Sequence, residues 1–356
     1  MRITSPKDPG LTDLCHRLAE LATDLDRPGQ WPAPQLQLLA DYGVFEWFIG
    51  PEHGGQGWSD ADVILGYLAL SKACLTTTFV VTQFTGACRR IAVAENPYPR
   101  ETLLNDLVAG RHFATVGISH LTTSRRHLAQ PVLRAEPVRG GFQLDGFSPW
   151  VTGSTAADYV VTGATLQDDR QILVVLPTDC AGVTMPPPPE LVGLSASQTG
   201  QVRCEQVFVD DKWLLAGPVE NVMQQGVGAK TGGLQTSTLA IGLADACVDF
   251  LEGEAAGRPD LLPPAERFRS EWKSLRSDLL LLAEGREVCS NESVRGRANS
   301  LVLRSSQAAL SAAKGTGFVI GHPAGRWCRE ALFFLVWSCP QPVMAANLCE
   351  LAGLSD

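Results

Sequence analysis

The chain has 356 residues, 45% of them apolar, which is enough to bury a large core in two or three subdomains. A formal net charge of −9 and a pI near 5.2 argue against nucleic acid or an anionic membrane as the main partner. No apolar run has the length of a membrane-spanning helix, and the first ten residues lack the apolar segment of a signal peptide.

Ten cysteines are scattered along the chain, and no two of them form a C-x-x-C pair. This spacing predicts neither a disulfide framework nor a metal site. We therefore expect reduced thiols, no bound metal and a cytoplasmic location.

The first third of the chain predicts helices. From about residue 11 to residue 110, apolar side chains recur every three or four positions, as in Leu14, Leu18 and Leu21. Residues 51–57, which read Pro-Glu-His-Gly-Gly-Gln-Gly, predict a turn, and Ser59 predicts the cap of the next helix. We expect an N-terminal helical domain over residues 1–112.

The middle of the chain changes to short alternating runs rich in β-branched residues. The runs are residues 142–146, 159–162, 172–176 and 201–209. Turn residues separate them, which indicates an antiparallel β-domain over residues 113–216. The four prolines at 186–189 predict an extended connector rather than a paired strand.

Helical periodicity returns from about residue 221. Residues 275–282 end in four consecutive leucines, more than one helix face can bury within a single bundle. We expect a C-terminal bundle of the four-helix type over residues 217–356, associating through these helices into a homodimer or homotetramer. The order of helices, sheet and helices indicates an α+β multidomain protein.

Five motifs arrive in an order that resembles the acyl-CoA dehydrogenase family. They are Tyr42-Gly43-Val44 with the turn at 51–57; the strand from Gly146 to Gly153; residues 191–199 followed by 207–209; Gly242-Leu243-Ala244, opening a helix, with Arg258 sixteen residues later; and a block from Gly315-Thr316-Gly317-Phe318 through Arg329-Glu330 to Trp337-Ser338-Cys339-Pro340. The resemblance covers nearly the whole chain. It implies the fold of this family, a flavin cofactor and oxidoreductase activity.

The resemblance also implies which residues contact the flavin. Trp150 and Thr152 lie two residues apart on one strand, so they point to the same face. There they would offer an aromatic surface to the isoalloxazine ring and a hydroxyl to its polar edge. Ser119, Thr123 and Ser124 stand where the family has a flavin-binding loop, although the glycine and acids of that loop are missing. The adjacent Arg125 and Arg126 would add charge toward phosphate.

At the dinucleotide end, the resemblance implies phosphate contacts by Arg258, Gly315 and Gly317, since a glycine turn lets the backbone approach a phosphate closely. Neighbouring positions differ from the family pattern: residues 261–262 are Leu-Leu and 268–269 are Phe-Arg. FAD is the expected cofactor, and FMN stays open. In the family these contacts come from a neighbouring subunit.

The usual catalytic base is missing. The family places a glutamate eight residues after the acidic member of its Arg-Asp/Glu pair, which here is Ser338, or ten residues before Gly242, which here is Gly232. A serine hydroxyl lacks the basicity to replace it. We interpret Cys339 as a packed thiol. His120 is the candidate substitute acid/base, and a purely structural histidine is the alternative.

We therefore expect a flavin-dependent oxidoreductase that carries out CH–CH oxidation on an acyl thioester or a similar activated carbonyl compound. Its partners would be an acyl-CoA or acyl-carrier thioester and an electron acceptor or reductase. The alternatives are a flavin-dependent monooxygenase on the same scaffold, which needs no carboxylate at this position, and a catalytically degenerate flavin-binding scaffold. The missing glutamate counts against CH–CH oxidation. The Trp150–Thr152 face counts against a catalytically degenerate scaffold.

Overall fold

The computed structural model describes residues 2–27, 29–122, 131–225 and 233–354. The N-terminal part is helical: α1 (Pro9–Leu21), α2 (Ala33–Asp41), α3 (Asp60–Ala73), α4 (Leu75–Ala92) and α5 (Pro97–Val108). As expected, Ser59 caps α3, because its hydroxyl accepts a hydrogen bond from the amide of Asp62 at 3.2 Å. Helix α4 is buried on most of its surface, so it forms the centre of this part of the molecule.

The strands of the described residues form one eight-stranded sheet. They are β1 (Ala114–Gly117), β2 (Leu133–Val138), β3 (Gly141–Val151), β4 (Tyr159–Thr165), β5 (Gln171–Pro177), β6 (Val183–Thr184), β7 (Gly200–Asp210) and β8 (Leu214–Val219), with a short helix α6 (Ser119–Thr122) after β1. The order is β6-β7-β3-β2-β4-β5-β8, and β1 pairs with β4. The prolines at 186–189 lie outside any strand, as expected.

The sheet is mixed, whereas we expected an antiparallel β-domain. Strand β1 runs parallel to β4 over four residue pairs, and β2 meets β4 in parallel at Arg134 and Thr165. A parallel pair requires a crossover connection, and here the chain from β1 to β4 passes through α6, β2 and β3. The alternating runs predicted the strands correctly but carried no information on their relative direction.

The C-terminal part is again helical, with α7 (Gln235–Ala255), α8 (Leu262–Ala283), α9 (Asn291–Ala313), α10 (Pro323–Ala331) and α11 (Gln341–Leu351). Short 3-10 helices at Lys314–Phe318 and Leu332–Leu335 flank α10. Among the described residues, no helix is both long enough and apolar enough to cross a membrane. The domain boundaries at 112/113 and 216/217 stay predictions; α5 ends at Val108 and β8 at Val219, close to them.

Gly242 does not open a helix, contrary to the expectation, but lies in the middle of α7, where that helix crosses α3. A Cβ atom at this position would come within 2.7 Å of the carbonyl oxygen of Leu68 and of the Cβ of Ser71. The Ser71 hydroxyl donates to the carbonyl of Leu239 at 2.7 Å. Glycine is therefore required here by the close approach of two backbones.

The leucine run is accommodated within one chain more completely than we expected. Leu275 and Leu279 are fully buried, and Leu280 and Leu282 pack partly buried against the same core. Exposed apolar side chains of the C-terminal part include Phe318–Ile320 and several along α11, with others at Leu262, Val288, Leu332, Val336 and Leu354. Exposed apolar surface therefore supports a subunit interface at residues 318–320 and along α11 better than at residues 280–282.

Candidate active site

A cavity of about 980 Å³ lies between the helical parts and the sheet. This volume is at the upper end of the usual range for small-molecule sites. Helices α3 and α4 form one wall, β1, the end of β3 and residues 191–199 form a second, and the segment from Arg329 to Ser338 together with the start of α7 forms a third. All three predicted domains thus contribute to one site.

Trp150 and Thr152 both line this cavity, although simple strand alternation does not place them there. Their contact with a flavin stays a prediction. Trp150 has a φ of 55°, the register with β7 shifts between Ser148 and Val151, and β3 ends at Val151. At this irregularity, residue Trp150 is 55% exposed. Thr152 is buried, so the cavity receives a broad aromatic surface next to a sheltered hydroxyl.

The hydroxyl of Thr152 belongs to a short hydrogen-bonded chain. Its Oγ1 lies 3.1 Å from Oγ1 of Thr199, which lies 2.8 Å from Oγ of Ser197. All three residues line the cavity. Hydroxyl groups can donate or accept as a ligand requires, so the set can adapt to the alternating donors and acceptors of a heteroaromatic ring edge.

Ser119 reaches the cavity, whereas His120 does not. The Ser119 hydroxyl donates to the carbonyl of Pro149 at 2.9 Å, next to Trp150. His120 instead turns into the sheet, where Nε2 lies 2.8 Å from the carbonyl oxygen of Gly163. Burial lowers the pKa of His120 despite that hydrogen bond. Its position corrects the expectation of a substitute acid/base at the flavin and favours a neutral, structural histidine. Thr123, Ser124, Arg125, Arg126 and Gly232 lie outside the described residues.

Arg258, Gly315 and Gly317 are close to one another but do not line the cavity of their own chain. Arg258 donates to the carbonyl of Ala312 at 2.7 Å and pairs with Glu254 at 3.0 Å. A Cβ on Gly317 would come within 2.7 Å of Ala313, so this glycine is required for local packing. The cofactor role of these three residues stays a prediction. According to that prediction, they would contact the cofactor bound by a neighbouring copy of the chain.

Ser338 lies on the cavity at the position of the missing glutamate, with a φ of 43°. The preceding Trp337 stacks on Phe333 at 5.1 Å between ring centroids, and Phe79 of α4 meets Trp337 edge-on at 5.0 Å. These rings make the lining beside Ser338 apolar. Burial raises the pKa of the Cys339 thiol, although Arg295 opposes the effect, which agrees with a packed thiol rather than a base.

Among the described residues that line the cavity, the one carboxylate is that of Asp60, which is exposed at the first position of α3. No described histidine lines it. The described lining therefore supplies no sheltered group that could serve as a base at the Ser338 turn. This is the strongest departure from the chemistry that the family resemblance implied.

The sequence reading missed the contribution of α4. Its cavity face consists of Phe79, Thr82, Gln83, Gly86, Arg89 and Arg90. Positions 79, 83, 86 and 90 follow helical spacing, so they share a face of the helix. One feature of the sequence could have indicated this contribution: two adjacent arginines, Arg89 and Arg90, stand at the end of an otherwise uncharged helix.

The residues present fit a flavin on the sheet side of the cavity. The exposed indole of Trp150 offers a flat surface, and the hydroxyls of Ser119, Thr122, Thr152, Ser197 and Thr199 line the same side. A site for a flat heteroaromatic ring needs both elements, an apolar face and a few placed polar groups. The described lining therefore fits the ring system of a flavin. It does not include Arg258, Gly315 or Gly317, the predicted phosphate ligands.

No protein-family model matches the chain. Among curated proteins, it is 23% identical over 262 residues to a probable acyl-CoA dehydrogenase of Bacillus subtilis, covering 71% of this chain and 68% of the relative. It is 23% identical over 354 residues to the mitochondrial isovaleryl-CoA dehydrogenase of Solanum tuberosum, covering 89% and 82%. The expected relationship to acyl-CoA dehydrogenases is confirmed.

Solved structures share the fold. Butyryl-CoA dehydrogenase from Megasphaera elsdenii superposes with a TM-score of 0.78 at 18% identity, covering 100% of both chains. FkbI, for biosynthesis of a methoxymalonyl extender unit, gives 0.80 at 19% identity, covering 97% of this chain and 99% of that one. The dibenzothiophene monooxygenase of Paenibacillus sp. A11-2 gives 0.79 at 16%, covering 95% and 94%. The expected α+β architecture, helical at both ends with a central sheet, is confirmed.

Proposed function

We propose that this protein is a flavin-dependent oxidoreductase that acts on the acyl group of a thioester. The observation that carries the proposal is the single cavity that joins the Trp150–Thr152 face to the Ser338 turn. One side of this cavity suits a flavin ring, and the other is walled by Phe79, Phe333 and Trp337, which suit an apolar acyl chain. The relatives named as acyl-CoA dehydrogenases support the choice of substrate.

The residues of the chain would act by binding and orientation. Trp150 would cover the ring of the cofactor, and the Thr152 hydroxyl, held by Thr199, would bond its polar edge. The aromatic cluster at Phe79, Phe333 and Trp337 would exclude water from the acyl chain. A bound flavin supplies the hydride-accepting chemistry. FAD is the proposed cofactor, and FMN is the alternative because a structural neighbour is an FMN-bound protein.

A monooxygenase is the second candidate, and the cavity itself favours it. CH–CH oxidation of a thioester requires a base for the α-proton, and Ser338 cannot supply one. Oxygenation by a reduced flavin does not require a carboxylate at that turn. A neighbour of the same fold is a dibenzothiophene monooxygenase with 16% identity to this chain, a likeness that by itself carries only the fold.

Anaerobic spectroscopy of the purified protein distinguishes the candidates. The protein is incubated with FAD or FMN, freed of excess cofactor and titrated with hexanoyl-CoA without oxygen. Loss of the oxidised flavin absorption supports the dehydrogenase. Absence of bleaching, followed by oxygen-dependent conversion of the thioester once the flavin has been chemically reduced, supports the monooxygenase. Failure to retain either flavin, or to act on the thioester by either route, overturns the proposal.

The remaining partners belong to the same proposal. We infer an acyl-CoA or acyl-carrier thioester as substrate, a separate electron acceptor or reductase, and a homodimer or homotetramer. The assembly is supported by the exposed apolar residues 318–320, with Phe318 85% exposed, beside the predicted phosphate ligands. A cytoplasmic location is supported by the ten cysteines, all of which are free.

A further inference from the structure

Two arginines occupy one end of the cavity wall formed by α4. Along this helix the cavity-facing residues begin with Phe79, continue with the polar Thr82 and Gln83, and end with Arg89 and Arg90. Eleven residues separate Phe79 from Arg90, which corresponds to about 16 Å along the helix axis. The lining therefore changes from apolar beside Ser338 to cationic at the far end of α4.

Arg89 has no carboxylate within ion-pair distance among the described residues. Its guanidinium lies 6.0 Å from the ring centroid of Phe48, and it is half-buried at the cavity. The cavity-lining Asp60 forms no ion pair with it. A sheltered guanidinium facing a ligand cavity is best satisfied by an anion of the ligand.

Arg90 is held in a fixed orientation next to Arg89. It is 4% exposed, and its Nη1 donates to the carbonyl of Gly86 at 2.8 Å. Burial lowers the pKa of Arg90 to about 10. Gly86 keeps the space in front of this guanidinium open, because a Cβ there would lie 3.4 Å from Nη1 and 3.6 Å from Val116.

Polar side chains lie close to the two arginines. The Tyr67 hydroxyl lies 2.8 Å from the Thr85 hydroxyl, and the amide of Gln235 donates to it at 3.3 Å. Burial raises the pKa of Tyr67 to about 12, so the phenol does not neutralise Arg89 at ordinary pH. An entirely aliphatic acyl chain would leave these groups facing apolar atoms, which is costly.

We propose that Arg89 and Arg90 form an anion subsite that binds a carboxylate at the distal end of the acyl chain. The substrate class is then the monothioester of a dicarboxylic acid, with the thioester at the Ser338 turn and the free carboxylate at the end of α4. The assignment of the thioester end rests on the proposed function. The positive charge at the end of α4 is a property of the cavity that does not depend on that function.

The test compares ligands that differ only at the distal end. Binding of adipoyl-CoA and hexanoyl-CoA to the flavin-loaded protein is measured by calorimetry and by the shift of the flavin spectrum, with longer and shorter pairs of the same design. The wild-type protein should favour the dicarboxylic member. Arg89→Gln should lower its affinity for adipoyl-CoA by about 10- to 100-fold, the range expected for a charge-assisted hydrogen bond. Affinity for hexanoyl-CoA should stay the same or rise.

Controls separate the subsite from other roles of an arginine. Arg111→Gln removes an exposed arginine of the surface, which pairs with Asp106 outside the cavity, and should change neither affinity. Arg89→Glu, the stronger variant, should reverse the preference toward 6-aminohexanoyl-CoA. Binding of coenzyme A alone and of the flavin should be unaffected by Arg89→Gln. A selective loss of either would show that the arginines serve a phosphate, and would overturn the proposal.

Equal affinity of the wild-type protein for every matched pair would also overturn it. Binding of hexanoyl-CoA tests the proposed function, whereas the difference within a pair tests the subsite. If neither thioester binds, the proposed function fails, and the subsite is tested by hexanoate against 1-hexanol. Loss of hexanoate binding alone in Arg89→Gln then supports the subsite, and any other result refutes it.

Discussion

Thr76, near the start of α4, donates its hydroxyl hydrogen bond to the buried carboxylate of Glu330 at the end of α10, at 2.9 Å. The two residues are 254 positions apart in the chain. Arg326, one turn earlier on α10, places its Nε 3.9 Å from the same carboxylate. This contact fixes the α4 wall of the cavity against the helix that precedes the Ser338 turn.

The burial of Glu330 predicts a pH-dependent stability. Burial raises the pKa of Glu330, and Arg326 and Thr76 oppose this only in part. The folded protein therefore retains this proton to higher pH than the unfolded chain. Its contribution to the free energy of unfolding is full at low pH and is lost as pH rises from the ordinary glutamate range through the raised pKa.

Glu330→Gln should remove this component of the pH dependence. Urea unfolding of the wild-type protein and of the variant, measured from about pH 4 to 8, should show stabilities that diverge in favour of the variant as pH rises. Glu287→Gln, at an exposed position of the loop after α8, is the matched control and should follow the wild-type protein. Parallel curves for Glu330→Gln and wild type would contradict the prediction.

Arg295 should be required for the shape of the Ser338 turn. Its Nη2 donates to the carbonyls of Trp337 at 2.8 Å and Phe334 at 3.2 Å, and Asn299 supports it. Burial lowers the pKa of Arg295 to about 10. Arg295→Met would remove the donor to the Trp337 carbonyl, whereas the Phe334 carbonyl keeps its hydrogen bond from Asn299, so we expect a loss of about 1–3 kcal/mol in the free energy of unfolding.

The control for Arg295 lies two residues further along the same helix. Arg297 is half-exposed and pairs with Asp278 at 2.6 Å, so Arg297→Met should cost less than about 1 kcal/mol. Urea unfolding measures both. Similar losses for the two variants would show that the buried carbonyl contacts of Arg295 have no special importance.

Ser338→Glu tests whether the scaffold has merely lost its base. We expect wild-type turnover with simple acyl-CoAs to be very low and the variant to gain α,β-dehydrogenation of hexanoyl-CoA, measured by anaerobic flavin bleaching. The gain should be partial. Pro340 lacks an amide next to this turn, and Trp337 is fixed by stacking.

Ser338→Gly is the matched variant for the backbone. It relieves the positive φ without adding a carboxylate, so it should gain no activity and lose no stability. Rapid bleaching of the wild-type protein by hexanoyl-CoA would refute the prediction and show that a base lies outside the described cavity lining.

Thr152 should contribute to flavin affinity. Thr152→Val removes one hydroxyl from the buried chain with Thr199 and Ser197, and should weaken flavin binding by about 2- to 10-fold, the effect of one hydrogen bond. Fluorescence titration measures the dissociation constant. Thr184→Val on the exposed edge strand β6 should leave it unchanged. Equal affinities for all three proteins would place the cofactor elsewhere.

Residues 318–320 should form part of a subunit interface. Ile320 is 80% exposed and Val319 63%, which is unusual for adjacent apolar residues. Ile320→Asp should weaken self-association by about tenfold or more, because a carboxylate would be buried without a partner. Sedimentation velocity measures the effect, with Val138→Asp as the control at an exposed sheet position. A wild-type monomer with bound flavin would contradict the proposed assembly.

The sequence by itself determined the order of helices, sheet and helices, and it identified Trp150, Thr152, Ser119 and Ser338, all of which the structure brings to one cavity. These features are local: a period, a turn or a short motif. It also determined that the usual glutamate is missing, because that deduction needs only a count along the chain.

The tertiary structure decided what depends on contacts between distant segments. It turned His120 into the sheet, buried Glu330 against Thr76, and placed two arginines of α4 at the end of the ligand cavity. It also showed that Trp150 reaches the cavity through an irregularity of β3. A residue's own sequence neighbourhood sets its helix or strand, but burial and partners come from elements hundreds of positions away, and these decide its charge and its role.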